Sequence, residues 1–274
     1  MFSVVVPVYN HAKFVSQAVW SALRTPLVQE ILLLDDGSSD GSAAIAASLA
    51  AEHPSRVRDL TPPDHANRGA HHRLNELVEA ARCEWVAVLN SDDVFVSGRF
   101  EAIASDAHFP DADFVFGNVL FMDERGALTG LKRGPIDTWD AFRTRCEQDS
   151  DATLEERFLD PLSRENYLIS TSNMVFRRAL HARVGGFAAY RYVHDWDFAL
   201  RAMVLGRPLY IPHFLTGYRK HAGNTILESS QRTRREAKEL FGRFAVDFPN
   251  ITTRPEFQAG QKVLFRYLES SAAG

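Results

Sequence analysis

The sequence predicts an α/β fold in which a Rossmann-like, mostly parallel central sheet carries helices on both faces. Short apolar runs rich in β-branched residues alternate with segments of helical periodicity through the first third of the chain. These runs are apolar without interruption, as expected of strands buried on both faces. Each run ends abruptly in polar residues, and ligands of such sheets bind at the carboxyl ends of the strands.

Three strands and three helices are predicted up to residue 90. The strands are "FSVVVPVY", "ILLL" and "EWVAVLN". A helix follows the first strand, because Phe14, Ala18, Val19 and Ala22 recur on one helical face. An alanine-rich helix follows the second strand, and a third helix extends from about Gly69 to Arg82.

The rest of the chain predicts a mixed architecture that ends in a helical tail. Strands joined by a turn at Arg125-Gly126 are followed by a polar, irregular segment from Lys132 to Glu165. A short strand and a helix ended by Gly185-Gly186 come next. A helix from about His194 and the strand "PLYIPHFLTGYRKH" precede the tail, which is helical from Glu228.

The composition excludes several classes of protein. A net charge of −4 argues against a general nucleic-acid binder, which would carry an excess of basic residues. The cysteines, Cys83 and Cys146, form neither a disulfide framework nor a metal motif, so a reducing compartment is expected. The first residues predict a strand rather than a signal peptide, and no run is apolar for long enough to span a bilayer. We therefore expect a cytoplasmic protein, with peripheral contact at the inner face of the membrane and the oligomeric state left open.

Polar residues at the three strand ends predict one ligand crevice. Tyr9-Asn10, Asp35-Asp36 and the stretch from Asn90 to Asp93 each follow an apolar run. The motif "DDGSSDGS" is not an EF-hand calcium loop, because Ala46 stands where the bidentate Glu would be, and it lacks the Gly-Lys of a Walker loop. The adjacent carboxylates of Asp92 and Asp93 repel each other. A Mg²⁺ or Mn²⁺ ion, which takes oxygen ligands and shares them with phosphates, would remove that repulsion.

Two further motifs have both a structural and a functional interpretation. In "HDWDFALR", Asp195 and Asp197 at a helix start could simply complement the helix dipole. His221 follows a strand and lies among polar residues, although a lone histidine is more often structural than a ligand.

Taken together, the motifs resemble those of the family 2 glycosyltransferases. The motifs "VVVPVYN", "LLLDDGSSDGS", "LNSDD", "STSNMVFRR", "GGF" and "HDWDFALR" occur in the family's order, from Phe2 to about Thr225. The resemblance implies a glycosyltransferase-A type fold and an inverting enzyme. It also implies a catalytic domain over residues 1–225, with a nucleotide-sugar-binding half at 1–117 and an acceptor-binding half at 118–225. Residues 226–274 would form a C-terminal helical extension.

The resemblance implies a nucleotide-binding set at the crevice. Asp36 would hydrogen-bond the base, with uracil expected, and Asp35 would support the ribose side. Asn90 replaces a family carboxylate that usually contacts ribose, and an amide can still accept a hydrogen bond. The full nucleotide-binding set is Pro7, Val8, Tyr9, Asp35, Asp36, Asn67, Arg73, Asn90 and Ser91, with Arg68 as an alternative to Arg73 at the pyrophosphate.

The resemblance also implies the metal, the general base and the acceptor side. Asp92 would bind Mn²⁺ or Mg²⁺ with help from His221, and Asp195 would be the general base. The acceptor and sugar side would comprise Asp93, Ser172, Asn173, His194 and Trp196, although Trp196 could instead be a core residue. The polar segment at Lys132–Glu165 and the tail would choose the acceptor.

The expected donor is a UDP-sugar, and the expected acceptor is a glycan or a lipid-linked glycan in bacterial cell-surface polysaccharide synthesis. No nucleic acid partner is expected. An alternative of another class is a catalytically impaired nucleotide-sugar-binding or scaffold protein of the same fold. The departures at Asn90 and His194 support that alternative, whereas the presence of Asp36, Asp92 and Asp195 supports the enzyme.

Overall fold

The computed structural model describes residues 1–135, 153–225 and 228–270. Cys146 and the middle of the polar segment predicted at Lys132–Glu165 lie outside the described residues. Residue 226, where the predicted C-terminal extension begins, also lies outside them. The described residues form a nine-stranded sheet. Its strands are β1 (Phe2–Val8), β2 (Val28–Asp35), β3 (Val57–Asp59), β4 (Trp85–Val88), β5 (Val94–Phe95), β6 (Phe114–Met122), β7 (Leu128–Lys132), β8 (Val175–Arg177) and β9 (Pro208–Arg219).

Helices cover both faces of the sheet. They are α1 (Val15–Leu23), α2 (Ser42–Glu52), α3 (Ala70–Ala80), α4 (Arg99–Ala104), α5 (Asp160–Leu162), α6 (Arg178–Val184), α7 (His194–Leu205), α8 (Ser230–Asp247), α9 (Pro249–Thr252) and α10 (Pro255–Ser270). None of the helices in the described ranges is long and apolar enough to cross a membrane.

The strand order places a crevice at the end of β1. The order is β3-β2-β1-β4-β8-β6-β9-β5, with β7 paired to β6. Strands β1 to β4 are parallel, and β8 is inserted antiparallel between β4 and β6. Because β2 lies on one side of β1 and β4 on the other, the sheet has a topological switch point at the carboxyl end of β1. The predicted α/β fold with a mostly parallel sheet is confirmed.

Strand alternation divides the core between the two faces of the sheet. Val4, Val6 and Val8 of β1 pack with α1 and α2, whereas Val5 packs on the face covered by α3. Side chains of a strand point alternately to opposite faces, so a strand covered on both sides has to be apolar throughout. This explains the uninterrupted apolar runs in the first third of the sequence.

The C-terminal helices share the core of the preceding residues. Phe241 of α8 and Phe257 of α10 belong to the same buried cluster as the residues of α3 and α7. The ring of Trp196 in α7 meets Phe241 edge-on, with centroids 5.4 Å apart. The carboxylate of Glu236 accepts hydrogen bonds from the backbone N–H groups of Arg191 and Tyr192. The division at residue 225 stays a prediction, but the helical tail is packed into the body of the protein.

Candidate active site

The carboxyl ends of β1, β2 and β4 meet at one edge of the sheet. The N–H of Asp36 donates to the carbonyl of Val8 at 2.8 Å, and the N–H of Leu89 donates to the carbonyl of Val5 at 3.0 Å. The turn after β2 packs closely on the loop before α3. At Gly37, with φ +80°, a Cβ would lie 2.5 Å from the carbonyl oxygen of His65, so only glycine fits there.

The carboxylate of Asp36 is hydrogen-bonded to other parts of the protein. It accepts hydrogen bonds from the N–H groups of Arg68 at 2.7 Å and Gly69 at 2.9 Å, at the start of α3. It also accepts one from Nε of Arg73 at 2.8 Å, and Arg73 is buried and pairs with Glu76 as well. These contacts do not support the predicted roles of Asp36 at the nucleobase and Arg73 at the pyrophosphate. They anchor the loop against the end of β2 instead.

Asp35 differs, because one of its oxygens has no protein partner. Its Oδ1 accepts hydrogen bonds from the N–H groups of Gly37 at 3.0 Å and Ser38 at 2.9 Å. Its Oδ2 is buried and finds no hydrogen-bond partner among the described residues. A buried carboxylate oxygen without a donor costs free energy, so this atom is a natural acceptor for a ligand.

Tyr9 is an exposed aromatic residue at the end of β1. Tyr9 is 45% exposed, so its ring is free to stack on a base, whereas Val8 is fully buried and contributes only backbone. Pro7 is half-buried. Asn67 is exposed, and its Nδ2 donates to the backbone oxygen of Asp36 at 2.9 Å. Arg68, also exposed, is therefore a better placed cation for a diphosphate than Arg73.

Asn90 faces the turn after the polar segment rather than the open crevice. Its Nδ2 donates to Oγ of Ser170 at 3.0 Å, and its Oδ1 accepts from Oγ1 of Thr171 at 2.8 Å. Its backbone N–H donates to Oγ of Ser172 at 2.9 Å. The side chain would have to release these contacts to reach a ribose hydroxyl.

The structure brings Asp92 and His221 together and adds a residue that sequence reasoning missed. Nε2 of His221 lies 3.0 Å from Oδ2 of Asp92, and Nε2 of His11 lies 3.7 Å from the same oxygen. The ligand atoms of the three residues all lie within 4.8 Å of one another. His11 directly follows the polar end of β1, so the strand-end argument applied to Tyr9-Asn10 could have been extended by one residue to find it.

The cluster fits a divalent cation by the chemistry of its donors. A carboxylate and two imidazoles are ligands for such ions. Burial is the largest influence that lowers the pKa of His11, which favours the neutral, metal-binding form of the imidazole. Burial acts to raise the pKa of Asp92, but the partners of its carboxylate, first among them the hydrogen bond from His221, outweigh it, so the pKa lies below its ordinary value. A lowered pKa favours the ionised carboxylate, which is the form that binds a metal.

Two predicted site residues, Ser91 and Asp93, are buried next to the cluster. Ser91 is buried, and its Oγ lies 2.8 Å from Nδ1 of His11, so its side chain does not face a nucleotide. Asp93 is also buried, and it accepts hydrogen bonds from Oγ of Ser172 at 2.6 Å and from the N–H of Arg219 at 2.9 Å. Burial and the neighbouring charge of Asp92 raise the pKa of Asp93 to about 8. Asp93 holds the loop rather than a sugar.

The other predicted acceptor contacts are core residues. Ser172 and Asn173 are fully buried, and the amide of Asn173 bonds both the N–H and the carbonyl of Gly117. The indole N–H of Trp196 donates to the carbonyl of Leu162 at 2.8 Å, and the ring is buried beneath α8. Of the two interpretations of Trp196, the structure supports the core residue.

Asp195 is held at the start of α7 with a raised pKa. Its Oδ2 accepts a hydrogen bond from Nδ2 of Asn166 at 2.8 Å, and its Oδ1 accepts one from the N–H of Trp196 at 2.7 Å. Burial raises the pKa of Asp195, although the charge of His194 and these hydrogen bonds act against it. His194 is half-buried, and its Nδ1 finds no hydrogen-bond partner within the described part of the chain.

Tyr218 on β9 has a raised pKa. Burial is the largest cause, followed by the charges of Asp93, Asp92 and Asp195. Sequence reasoning missed Tyr218, since nothing in "LTGYRKH" distinguishes it from a strand residue.

Comparison with known proteins agrees with this architecture. The family model described as "Glycosyl transferase family 2" matches residues 3–197. The succinoglycan biosynthesis protein ExoU of Rhizobium meliloti is 27% identical over 238 residues, which cover 84% of this chain. The match spans 64% of the length of ExoU, so this chain covers less than two thirds of that relative.

Solved structures share the fold at low sequence identity. The mannosyltransferase PcManGT from Pyrobaculum calidifontis, in complex with GDP-Man and Mn²⁺, superposes with a TM-score of 0.65 at 17% identity, over 100% of this chain and 75% of that one. TarS of S. aureus, in complex with UDP-GlcNAc, superposes with a TM-score of 0.64 at 15% identity, over 95% and 78%. Because the family model matches most of the length of this chain, the chain belongs to glycosyl transferase family 2.

Proposed function

We propose that this protein is an inverting glycosyltransferase that transfers a sugar from a nucleoside-diphosphate donor to a hydroxyl acceptor, with Asp195 as general base. The observation that carries this proposal is the position of Asp92 and His221, whose side chains lie 3.0 Å apart at the end of β4 in a chain of this family. Asp92 belongs to a cluster suited to a cation, and Asp195 is held by Asn166 at the start of α7. A sugar bound between the two would have a leaving group on one side and a base on the other.

The donor is bound at the ends of β1 and β2. The ring of Tyr9 stacks on the nucleobase, and the unpartnered Oδ2 of Asp35 accepts a hydrogen bond from the base or ribose. Asn67 and Arg68 lie on the exposed loop before α3 and would contact the diphosphate. A UDP-sugar is the donor that we expect, and the structural neighbours that hold UDP-GlcNAc and GDP-Man make both bases worth testing.

Asp92 and His221 would hold the divalent cation, Mn²⁺ or Mg²⁺. A cation bound there neutralises the charge that develops on the leaving diphosphate. The protein residues contribute a preformed set of ligands, because the cluster is held in place before any donor binds.

Asp195 takes the proton of the acceptor hydroxyl. The hydroxyl oxygen then attacks the anomeric carbon from the side opposite the diphosphate, which inverts the configuration. A carboxylate with a raised pKa is a better proton acceptor at neutral pH than an ordinary one. Asn166 orients the carboxylate through its hydrogen bond to Oδ2.

The biological role that we propose is the assembly of a bacterial surface polysaccharide or another glycan. The relative ExoU is named for succinoglycan biosynthesis. A glycan or a lipid-linked glycan is therefore the acceptor class to test first.

The variant Asp195→Asn tests the proposal. Transfer or slow donor hydrolysis should fall by about 10²- to 10⁴-fold, the usual contribution of a general base. Binding of UDP or GDP with Mn²⁺, measured by calorimetry, should be retained. Asp111→Asn is a matched control, because the side chain of Asp111 is 86% exposed.

Normal transfer by Asp195→Asn would show that the base is another residue. A wild-type protein that binds UDP-sugars but neither transfers nor hydrolyses them would instead favour the nucleotide-sugar-binding or scaffold protein.

A further inference from the structure

His11 has no part in the proposed function so far, although it lies in the cluster with Asp92 and His221. We infer that His11 is a third protein ligand of the cation, and that two imidazoles and one carboxylate make this site select a first-row transition ion, such as Mn²⁺, over Mg²⁺. The inference rests on the metal-assisted transfer proposed above and goes beyond it by naming a ligand and a preference.

The distances from Asp92 to the two imidazoles fit ligands of one ion. Nε2 of His11 lies 3.7 Å from Oδ2 of Asp92, which is too long for a hydrogen bond. Metal bonds to imidazole nitrogen and carboxylate oxygen are about 2.0–2.2 Å long, so two ligands of one ion lie about 3–4.4 Å apart. The separations of 3.0 and 3.7 Å from Asp92 to the two imidazoles fall in this range.

His11 is oriented in the way that metal-binding histidines are. Its far nitrogen, Nδ1, lies 2.8 Å from Oγ of the buried Ser91, so Nε2 points at Asp92. Its backbone N–H donates to Oγ of Ser42 at 2.9 Å, which fixes the residue after the end of β1. A partner on the far nitrogen sets the tautomer and raises affinity for the metal.

The donor set decides which cation is preferred. Mg²⁺ demands oxygen ligands in near-ideal octahedral geometry, whereas imidazole suits transition ions. An arrangement of two histidines and one carboxylate leaves coordination positions open, as a site that also accepts diphosphate oxygens requires. With a single imidazole the preference for Mn²⁺ over Mg²⁺ would be weaker, so the preference depends on His11.

Electron paramagnetic resonance of bound Mn²⁺ tests the inference without an activity assay. Mn²⁺ is titrated into the full chain with UDP and, in parallel, with GDP. Hyperfine coupling to imidazole nitrogen is recorded in protein with ¹⁴N- or ¹⁵N-histidine. We expect coupling to two imidazoles in the wild type and to one in His11→Ala, with Mn²⁺ affinity lower by about tenfold or more. Competition with Mg²⁺ should show a preference for Mn²⁺ in the wild type that shrinks in the variant.

The controls separate a lost ligand from a damaged fold. His108→Ala removes a histidine that is 84% exposed and should leave coupling and affinity unchanged. His11→Gln provides a second variant in case alanine perturbs the fold, and thermal unfolding without metal compares both variants with the wild type. Ser91→Ala should weaken Mn²⁺ binding while retaining both couplings.

Three results would overturn part of the argument, and each points to a different failure. If folded His11→Ala and His11→Gln keep both couplings while Asp92→Ala loses Mn²⁺, His11 is not a ligand and the proposed function stands. If the wild type binds Mg²⁺ as tightly as Mn²⁺, the selectivity is wrong. If the wild type binds nucleotide equally with and without Mn²⁺, the metal-assisted transfer itself fails.

Discussion

Two pairs of adjacent aspartates lie at the ends of β2 and β4, and the two residues within each pair differ in their contacts in the same way. In Asp35-Asp36 the second carboxylate is bound by Arg73 and backbone N–H groups, while the first keeps a buried oxygen without a partner. In Asp92-Asp93 the second is bound by serine hydroxyls and a backbone N–H, while the first faces two histidines. The second member of each pair anchors a loop, and the first is the member that we propose for ligand binding.

The physical reason is clearest at β2. Successive side chains of a strand point to opposite faces, so Asp36 follows Leu34 onto the face covered by α3, and Asp35 follows Leu33 onto the other. On the α3 side, the N–H groups at the start of the helix and Arg73 meet the carboxylate. A negative charge is also favoured at a helix N-terminus. Two acidic residues in sequence therefore need not share one role.

The largest expected effect concerns Asp92. The variant Asp92→Asn should lower Mn²⁺-dependent nucleotide affinity by at least about 100-fold, since losing a ligand costs more than losing the partner of a ligand. Calorimetry of UDP and GDP with and without Mn²⁺ measures this. Equal nucleotide affinities for the wild type and the variant would show that Asp92 does not bind the cation. The two aspartate pairs would then not be alike.

The anchoring role of Asp36 predicts a loss of stability. Asp36→Asn removes the charge opposite the buried guanidinium of Arg73, so the free energy of unfolding should fall by about 3 kcal/mol. Urea unfolding of the apo protein measures it. Nucleotide affinity of the folded variant should stay within about threefold of the wild type. A stable variant with poor nucleotide binding would reverse the assignment of the pair.

Asp35→Asn is the matched change at the other member. Its Oδ1 can still accept from Gly37 and Ser38, so stability should change by less than about 1 kcal/mol. Nucleotide affinity should fall about 10- to 100-fold, because a charge-assisted hydrogen bond to the ligand is lost. Urea unfolding and nucleotide affinity should therefore separate Asp35→Asn from Asp36→Asn. Identical effects of the two substitutions would show that the two aspartates do not differ in role.

The smallest expected effect concerns Asn166, which holds Asp195. Its hydrogen bond favours the charged carboxylate, so Asn166→Ala should raise the pKa of Asp195 further. A base must be deprotonated to act, and activity falls as the pH falls through its pKa. The acid limb of kcat/KM should therefore move to higher pH, and Asn166→Gln should move it less. An acid limb that does not move in either variant would argue against this contact.

Much of the fold and the outline of the crevice could be predicted from the sequence. Continuous apolar runs and the residues that end them report burial on two faces and the edge where the strands finish. The closeness of Asp92 and His221, far apart in the chain, followed from the family resemblance, and the structure places their side chains 3.0 Å apart. Their role as metal ligands stays a prediction.

Other roles could not be assigned from the sequence because they depend on distant packing. Trp196 could not be assigned to the core without knowing that α8 covers it. Ser172 and Asn173 are polar in sequence, but Asp93 and Gly117 satisfy them in the interior. His11 was missed because its position depends on Asn10, a residue other than glycine with φ of +54°, which turns the chain toward Asp92.

The sequence by itself determined the α/β class, the family and the edge of the sheet where polar residues collect. Those features follow from local periodicity and from motif order, which need no knowledge of contacts. The tertiary structure decided which carboxylate of each pair is bound by other parts of the chain. That choice depends on what lies opposite each side chain, and Arg73 and the turn at residues 170–173 are brought there from elsewhere in the chain.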